Sequence, residues 1–159
     1  MYKSGVERFH QAGYVRYEVC SFAKPGHECR HNIGYWEGRD YLGLGPSAHS
    51  FINGQRFLNA SSNVDYVKAL ENGELPREVD QSGIEERMVE TILLGLRTTW
   101  GVSRAKFERV FENKLEEKID LHQYDTLVKA GHLVDDGDAI KLSDDGFYIV
   151  EEVTRRLVK

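Results

Sequence analysis

The sequence predicts an α/β fold in its first part and a mainly α second part that carries a winged-helix-like hairpin. Three stretches carry that prediction. In VRYEVCSFA, residues 15–23, Val15, Tyr17 and Val19 alternate with Arg16, Glu18 and Cys20, the two-residue period of a half-buried strand. In IEERMVETILLGLRTT, Met88, Ile92 and Leu96 recur every four residues with Val89 and Leu93 beside them, the wide apolar stripe of a core helix. In HLVDDGDAIKLS, two short apolar runs flank Asp-Asp-Gly-Asp, a hairpin signal. At 159 residues the chain is about one domain long and can bury a substantial core.

The elements follow in order. GVERFHQ, ahead of AGY, reads as the end of an amphipathic helix stopped at Gly13. The strand over 15–23 comes next, and Lys24-Pro25-Gly26 turns the chain. The next apolar element is DYLGLGPSAHSF, where Gly43 and Gly45 mark a place that a backbone or a ligand approaches closely. After Phe57 the character changes to helical. Ser62 or Asn63 caps VDYVKALENG, which ends at Gly73 and Pro76. The core helix follows, then RAKFERVFEN capped by Ser103, then LHQYDTLVKAG ending at Gly131. Beyond the hairpin, Ser143 caps a last helix, DDGFYIVEEVTRRLV, with acids in its first turn and Arg155 and Arg156 in its last, as the macrodipole favours.

Composition narrows the function. Hydrophobic residues at 40% and charged residues at 30% fit a globular rather than a disordered chain. The apolar runs are too short to span a membrane and no signal-peptide pattern opens the sequence, so a cytoplasmic protein is expected. Two cysteines, Cys20 and Cys29, make no disulfide framework. A net charge of −5 argues against nucleic acid. The helix before the hairpin offers Lys129 as its one permanent cation, and Asp135, Asp136 and Asp138 in the wing would repel phosphate.

The run YEVCSFAKPGHECRHNIGYWEGRDYLGLGPSAHS resembles the catalytic domain of the HemN/HemW family, the oxygen-independent coproporphyrinogen III oxidases and their haem-chaperone relatives. The family markers are YE-x-S-x-FA-x-PG, HNxxYW and DYLG-x-G-x-x-AHS. Cys20 stands where the first has Ser, and His31, Asn32, Tyr35 and Trp36 match HNxxYW in full, which points to the chaperone branch. EERMVETILLGLRTTWGV and the hairpin resemble the family's C-terminal domain. The resemblance implies closing strands of a radical S-adenosylmethionine barrel over residues 1–60 and the helical, winged-helix-like domain over 61–159.

It also implies roles. His31 would be an axial ligand to haem iron, with Asn32, Tyr35 and Trp36 around the haem or porphyrin, and Gly43 and Gly45 would lie toward the S-adenosylmethionine side. The family's 4Fe-4S cluster sits on CxxxCxxC, which this sequence lacks, so neither cluster nor S-adenosylmethionine is expected on this chain, no catalytic residue is assigned, and the chain is expected to be the C-terminal portion of a longer protein. The parent would be a HemW-like chaperone that passes haem to an acceptor protein. The alternatives are a true coproporphyrinogen III oxidase and a non-catalytic interaction domain. Barrel strands without neighbours are expected to pair with a second copy, or the first segment to pack on the helical domain. His27, Cys29 and His31 alternate and would share a face in an extended segment, with His49 as a fourth donor for zinc.

Overall fold

The computed structural model describes Tyr2–Lys159. It is a mixed α/β structure with three small sheets, all of whose strand pairs are antiparallel. No closed barrel forms among the described residues, and neighbouring strands in each sheet run antiparallel. The chain divides into two compact units, one formed by the chain up to Arg30 together with Gly83–Lys159, the other by His31–Ser82.

In the first unit, α1 (Tyr2–Gln11) buries only Val6 and ends where Gly13 takes φ +79. The stretch read as one strand over 15–23 is two short ones, β1 (Val15–Arg16) and β2 (Phe22–Ala23), paired as a hairpin. Its middle leaves that pairing for another. Val19 donates to the Arg97 carbonyl at 2.9 Å and Thr99 donates to the Tyr17 carbonyl at 3.2 Å. The expected alternation therefore fails, because Arg16, Tyr17, Glu18 and Val19 are all buried while Val15 is exposed. The Arg16 guanidinium lies 4.0 Å from the Phe147 ring centroid and 2.5 Å from an Asp144 carboxylate oxygen, so its charge is matched.

The core of this unit is built on α4 (Ile84–Leu96), whose Met88, Ile92 and Leu96 are fully buried as their spacing predicts. Thr98 just beyond it is also buried, donating to the Gly95 carbonyl and accepting from Gly101 N–H. Then come β6 (Val102–Ser103), α5 (Arg104–Phe111), a 3₁₀ turn at Leu115–Glu117, α6 (Leu121–Lys129), β7 (Leu133–Asp135) and β8 (Ala139–Leu142). The hairpin is present as expected, and β6 joins it to give the order β6-β8-β7. Ser103 caps α5 and Asp120 caps α6, each side chain accepting from first-turn amides. The last helix is two, α7 (Asp144–Phe147) and α8 (Val150–Leu157), broken at Ile149 with φ −128 and ψ 31. Phe107, Phe111, Leu115, Ile119, Leu127, Ile140, Phe147, Val153 and Leu157 close the core around α4.

The second unit holds nearly all of α2 (Arg30–Trp36), β3 (His49–Ile52), β4 (Gln55–Asn59), α3 (Asn63–Glu71) and β5 (Arg77–Val79). β3 and β4 form a two-residue hairpin at Asn53-Gly54, with φ of +51 and +75, the left-handed pair that a type I′ turn demands. β5 adds to β4, giving the order β3-β4-β5. Ser62, not Asn63, caps α3 by accepting from Asp65 N–H. Burial is thin in this unit: only Ser50 and Phe57 are buried, and Arg77 lies 4.3 Å over the Phe57 ring.

Candidate functional site

The segment around HNxxYW is a helix, α2, where an irregular or extended strip was expected. It stops when Gly38 takes φ +63 and Arg39 donates back to the Gly34 carbonyl. A helical turn brings residues four apart together, so His31 and Tyr35 share one line and Asn32 and Trp36 the next. His31 is exposed, and its ring meets that of Tyr35 edge to face, with centroids 4.7 Å apart and planes at 77°. Asn32 and Trp36 are half-buried. Tyr35 in turn meets Tyr41 at 4.5 Å and 74°, and Tyr41 stacks near Phe51 at 6.3 Å and 25°. The sequence reading missed Tyr41 and Phe51. The signal was the apolar period across DYLG and HSFI, which holds them opposite each other once β3 forms.

The glycine loop is tied by its own side chains. Gly43 N–H donates to Ser50 Oγ at 3.0 Å and Gly45 N–H to the Tyr66 hydroxyl at 3.2 Å, while Asn59 Nδ2 donates to the carbonyls of both glycines at 3.3 and 2.9 Å. A Cβ on Gly43 would stand 2.1 Å from the His49 carbonyl oxygen, so a close backbone approach accounts for glycine there. Both amides have partners within the loop's own surroundings.

The alternating thiol and imidazole pattern does not survive folding. With His31 in α2, residues 27, 29 and 31 no longer form an extended strip, and the His27 ring nitrogen Nδ1 lies 3.2 Å from its local Pro25 carbonyl. Cys20 and Cys29 are exposed thiols. Among the described residues no group of three or more His, Cys, Asp or Glu side chains is placed to hold a metal ion.

A second polar cluster sits in the first unit and was read in the sequence only as an acidic wing. Arg104, the first residue of α5, reaches both carboxylate oxygens of Asp135 at 2.9 and 2.7 Å and Glu116 Oε1 at 2.6 Å. The Tyr124 hydroxyl donates to the same Asp135 carboxylate. The hydrogen bond from Arg104 holds the Asp135 carboxyl far below the usual range, with burial working against it and the Tyr124 hydroxyl working for it. Burial pushes the Tyr124 hydroxyl up, and Asp135 adds to the rise. Glu116 is penalised by burial, yet Arg104 brings its carboxyl down. Asp136 is paired with Lys141 at 2.6 Å. The wing is thus half neutralised from within and serves to pin the hairpin to α5 and α6.

Comparison with known proteins places these features. The model of the HemN C-terminal domain matches residues 85–149, which run from α4 through α7 with the Arg104 cluster inside them. The chain is 34% identical to the haem chaperone HemW of Lactococcus lactis over 99% of its length, and 32% identical to that of Mycobacterium tuberculosis over 95%. Against the haem chaperone HemW of Synechocystis it is 38% identical over 69% of its length. It covers 41%, 37% and 27% of those three proteins, so it spans at most about two-fifths of the curated relatives it matches. Among solved structures, the coproporphyrinogen III oxidase HemN of Escherichia coli, described as a radical SAM enzyme, superposes with a TM-score of 0.68 over 96% of this chain and 39% of that one. At 19% identity this shows a shared fold.

Proposed function

Because this chain is homologous to HemW haem chaperones over most of its length and carries a HemN C-terminal domain, we propose that it handles haem, with His31 as the axial ligand to the iron. The single observation that supports the reading is the exposed His31 imidazole, presented from a helix and contacted along its edge by Tyr35. Imidazole is a common axial donor, and a ring held at the surface can be approached by a flat macrocycle. Asn32 and Trp36 stand on the adjoining line of α2 and would meet the porphyrin periphery. Haem here is cargo: the chain's part is to bind it through one strong ligand and release it to an acceptor protein, in keeping with a cytoplasmic chaperone.

The residues present do not fit the family's other groups. A 4Fe-4S cluster with an open iron needs three thiolates, and the sequence has two cysteines. Gly43 and Gly45 use their amides within the fold, so they do not form a ready cradle for S-adenosylmethionine. No radical step is therefore assigned to this chain, and the reading as a coproporphyrinogen III oxidase has no residue to support it here. In a protein of the relatives' full length, the same surface would receive haem beside whatever the rest of that chain supplies.

A haem titration followed in the Soret region tests the reading. The wild-type chain is expected to saturate at a defined ratio with a shifted band. His31→Ala is expected to lose that band and bind at least tenfold more weakly, a change of about 1.4 kcal/mol or more. Equal spectra for the two proteins would remove His31 from the site.

A further inference from the structure

The rings of His31, Tyr35, Tyr41 and Phe51 form one continuous chain that runs from the exposed helix α2 to the strand β3. Tyr41 and Phe51 exchange both of their main-chain hydrogen bonds, at 2.8 and 2.9 Å, which fastens Tyr41 to the outer side of β3. Tyr35 sits on a helix with no buried residue, so nothing in α2 itself locks its side chain, and the residue is 40% exposed. What fixes its plane is the edge-to-face contact with Tyr41, and what fixes the plane of His31 is the same kind of contact with Tyr35. In such pairs the electropositive edge of one ring meets the electron-rich face of the next, which sets an angle as well as a distance.

We infer that Tyr35 and Tyr41 are positioning residues for His31: Tyr35 orients the imidazole directly, and Tyr41 is the brace that transmits the rigidity of β3 to it. Tyr35 then acts as a support for the ligand and not as a wall for the porphyrin face. The contacts involve ring edges and faces, so phenylalanine serves as well as tyrosine at position 41, and a branched aliphatic residue does not. The consequence for haem rests on the reading of His31 as its ligand; the orientation itself does not.

The test begins on the haem-free chain by proton NMR of the His31 ring. Ring currents from Tyr35 displace the imidazole resonances from their values in the unfolded chain. Tyr41→Phe is expected to leave them in place, whereas Tyr35→Leu and Tyr41→Leu move them toward the unfolded values. Tyr35→Leu changes an exposed side chain and leaves the pairing of Tyr41 with Phe51 untouched, so it reads the contact even if Tyr41→Leu fails to fold. His31 resonances unmoved by Tyr35→Leu overturn the inference. In the titration, Tyr35→Leu is expected to keep the position of the Soret band while lowering affinity by about tenfold or more, as loss of an outer support does at metal sites. Tyr41→Phe is expected to match the wild type in that titration. A wild type that binds no haem but shows the ring-current pattern would end the haem reading and leave the positioning role standing; haem binding unchanged by Tyr35→Leu would remove the role in binding.

Discussion

At the scale of single residues, the Arg104 guanidinium binds two carboxylates at once, those of Asp135 and Glu116. Its side chain and that of Asp135 are 26% and 20% exposed, so the pair is screened but not dissolved in water. Hydrogen bonds to charged groups are worth roughly 1.5–3 kcal/mol, and Arg104→Ala is expected to destabilise the chain by about 2 kcal/mol in denaturant unfolding. The folded Asp135 carboxyl is held below its ordinary value, so its contribution is complete above about pH 4 and is lost as the pH falls further. Arg104→Ala should accordingly flatten the acid limb of the stability profile, and a variant as acid-sensitive as the wild type would contradict this. The cluster was not visible in the sequence, where Arg104 and Asp135 stand far apart and the Asp run read as a hairpin turn and an acidic wing. His31 was visible, because a motif names it, but its supporting rings Tyr41 and Phe51 were hidden in separate apolar runs whose pairing depends on a hairpin.

At the scale of elements, helices with strong periods were legible and short ones were not. Met88, Ile92 and Leu96 announced α4, and Ser103 announced α5 through its cap. The seven residues of α2 carry Gly34 and no side-chain cap signal, so propensity alone would not have drawn a helix there. Asn53-Gly54 is the opposite case: the dipeptide is a strong hairpin signal that went unread because the glycine-rich run before it drew the strand too early. The last helix breaks at Ile149, and within α7 Gly146 packs close on the chain leading into β7, where a Cβ would lie 2.1 Å from the His132 carbonyl oxygen. Close approach also explains Gly95 in the last turn of α4, since a Cβ would stand 2.8 Å from Val102 Cγ2. Gly95→Ala therefore trades better helix propensity for overpacking. The expected net loss is about 1–2 kcal/mol, read as a lower melting temperature. A gain in stability would mean that β6 moves aside freely.

At the scale of the whole molecule, the two units differ in how much they bury. The unit of His31–Ser82 leaves Val64, Val67 and Leu70 exposed along one face of α3, and its end strand β5 is exposed throughout. Unpaired edges and uncovered apolar stripes invite a second chain. Concentration-dependent self-association is expected in sedimentation, and Val67→Lys, on the exposed stripe, is expected to reduce it. A wild type that stays a monomer over the whole range would dismiss the expectation. Within the other unit, Tyr17 and Val19 are buried with main-chain bonds to Thr99 and Arg97, and Arg16 lies over Phe147.

That stitching has a bearing on the order in which the molecule can be made. The long-range main-chain bonds of Tyr17 and Val19 are made at 97–99, so on a ribosome this stretch must wait for them while the whole of 31–82 emerges. Joining the two segments then closes a loop of about 78 residues, Val19 to Arg97, an entropic toll of about 4 kcal/mol that the growing chain meets late. Until that moment Tyr17 and Val19 have no burial to enter, which leaves residues 15–23 open to a folding helper or a protease while the chain is still being made.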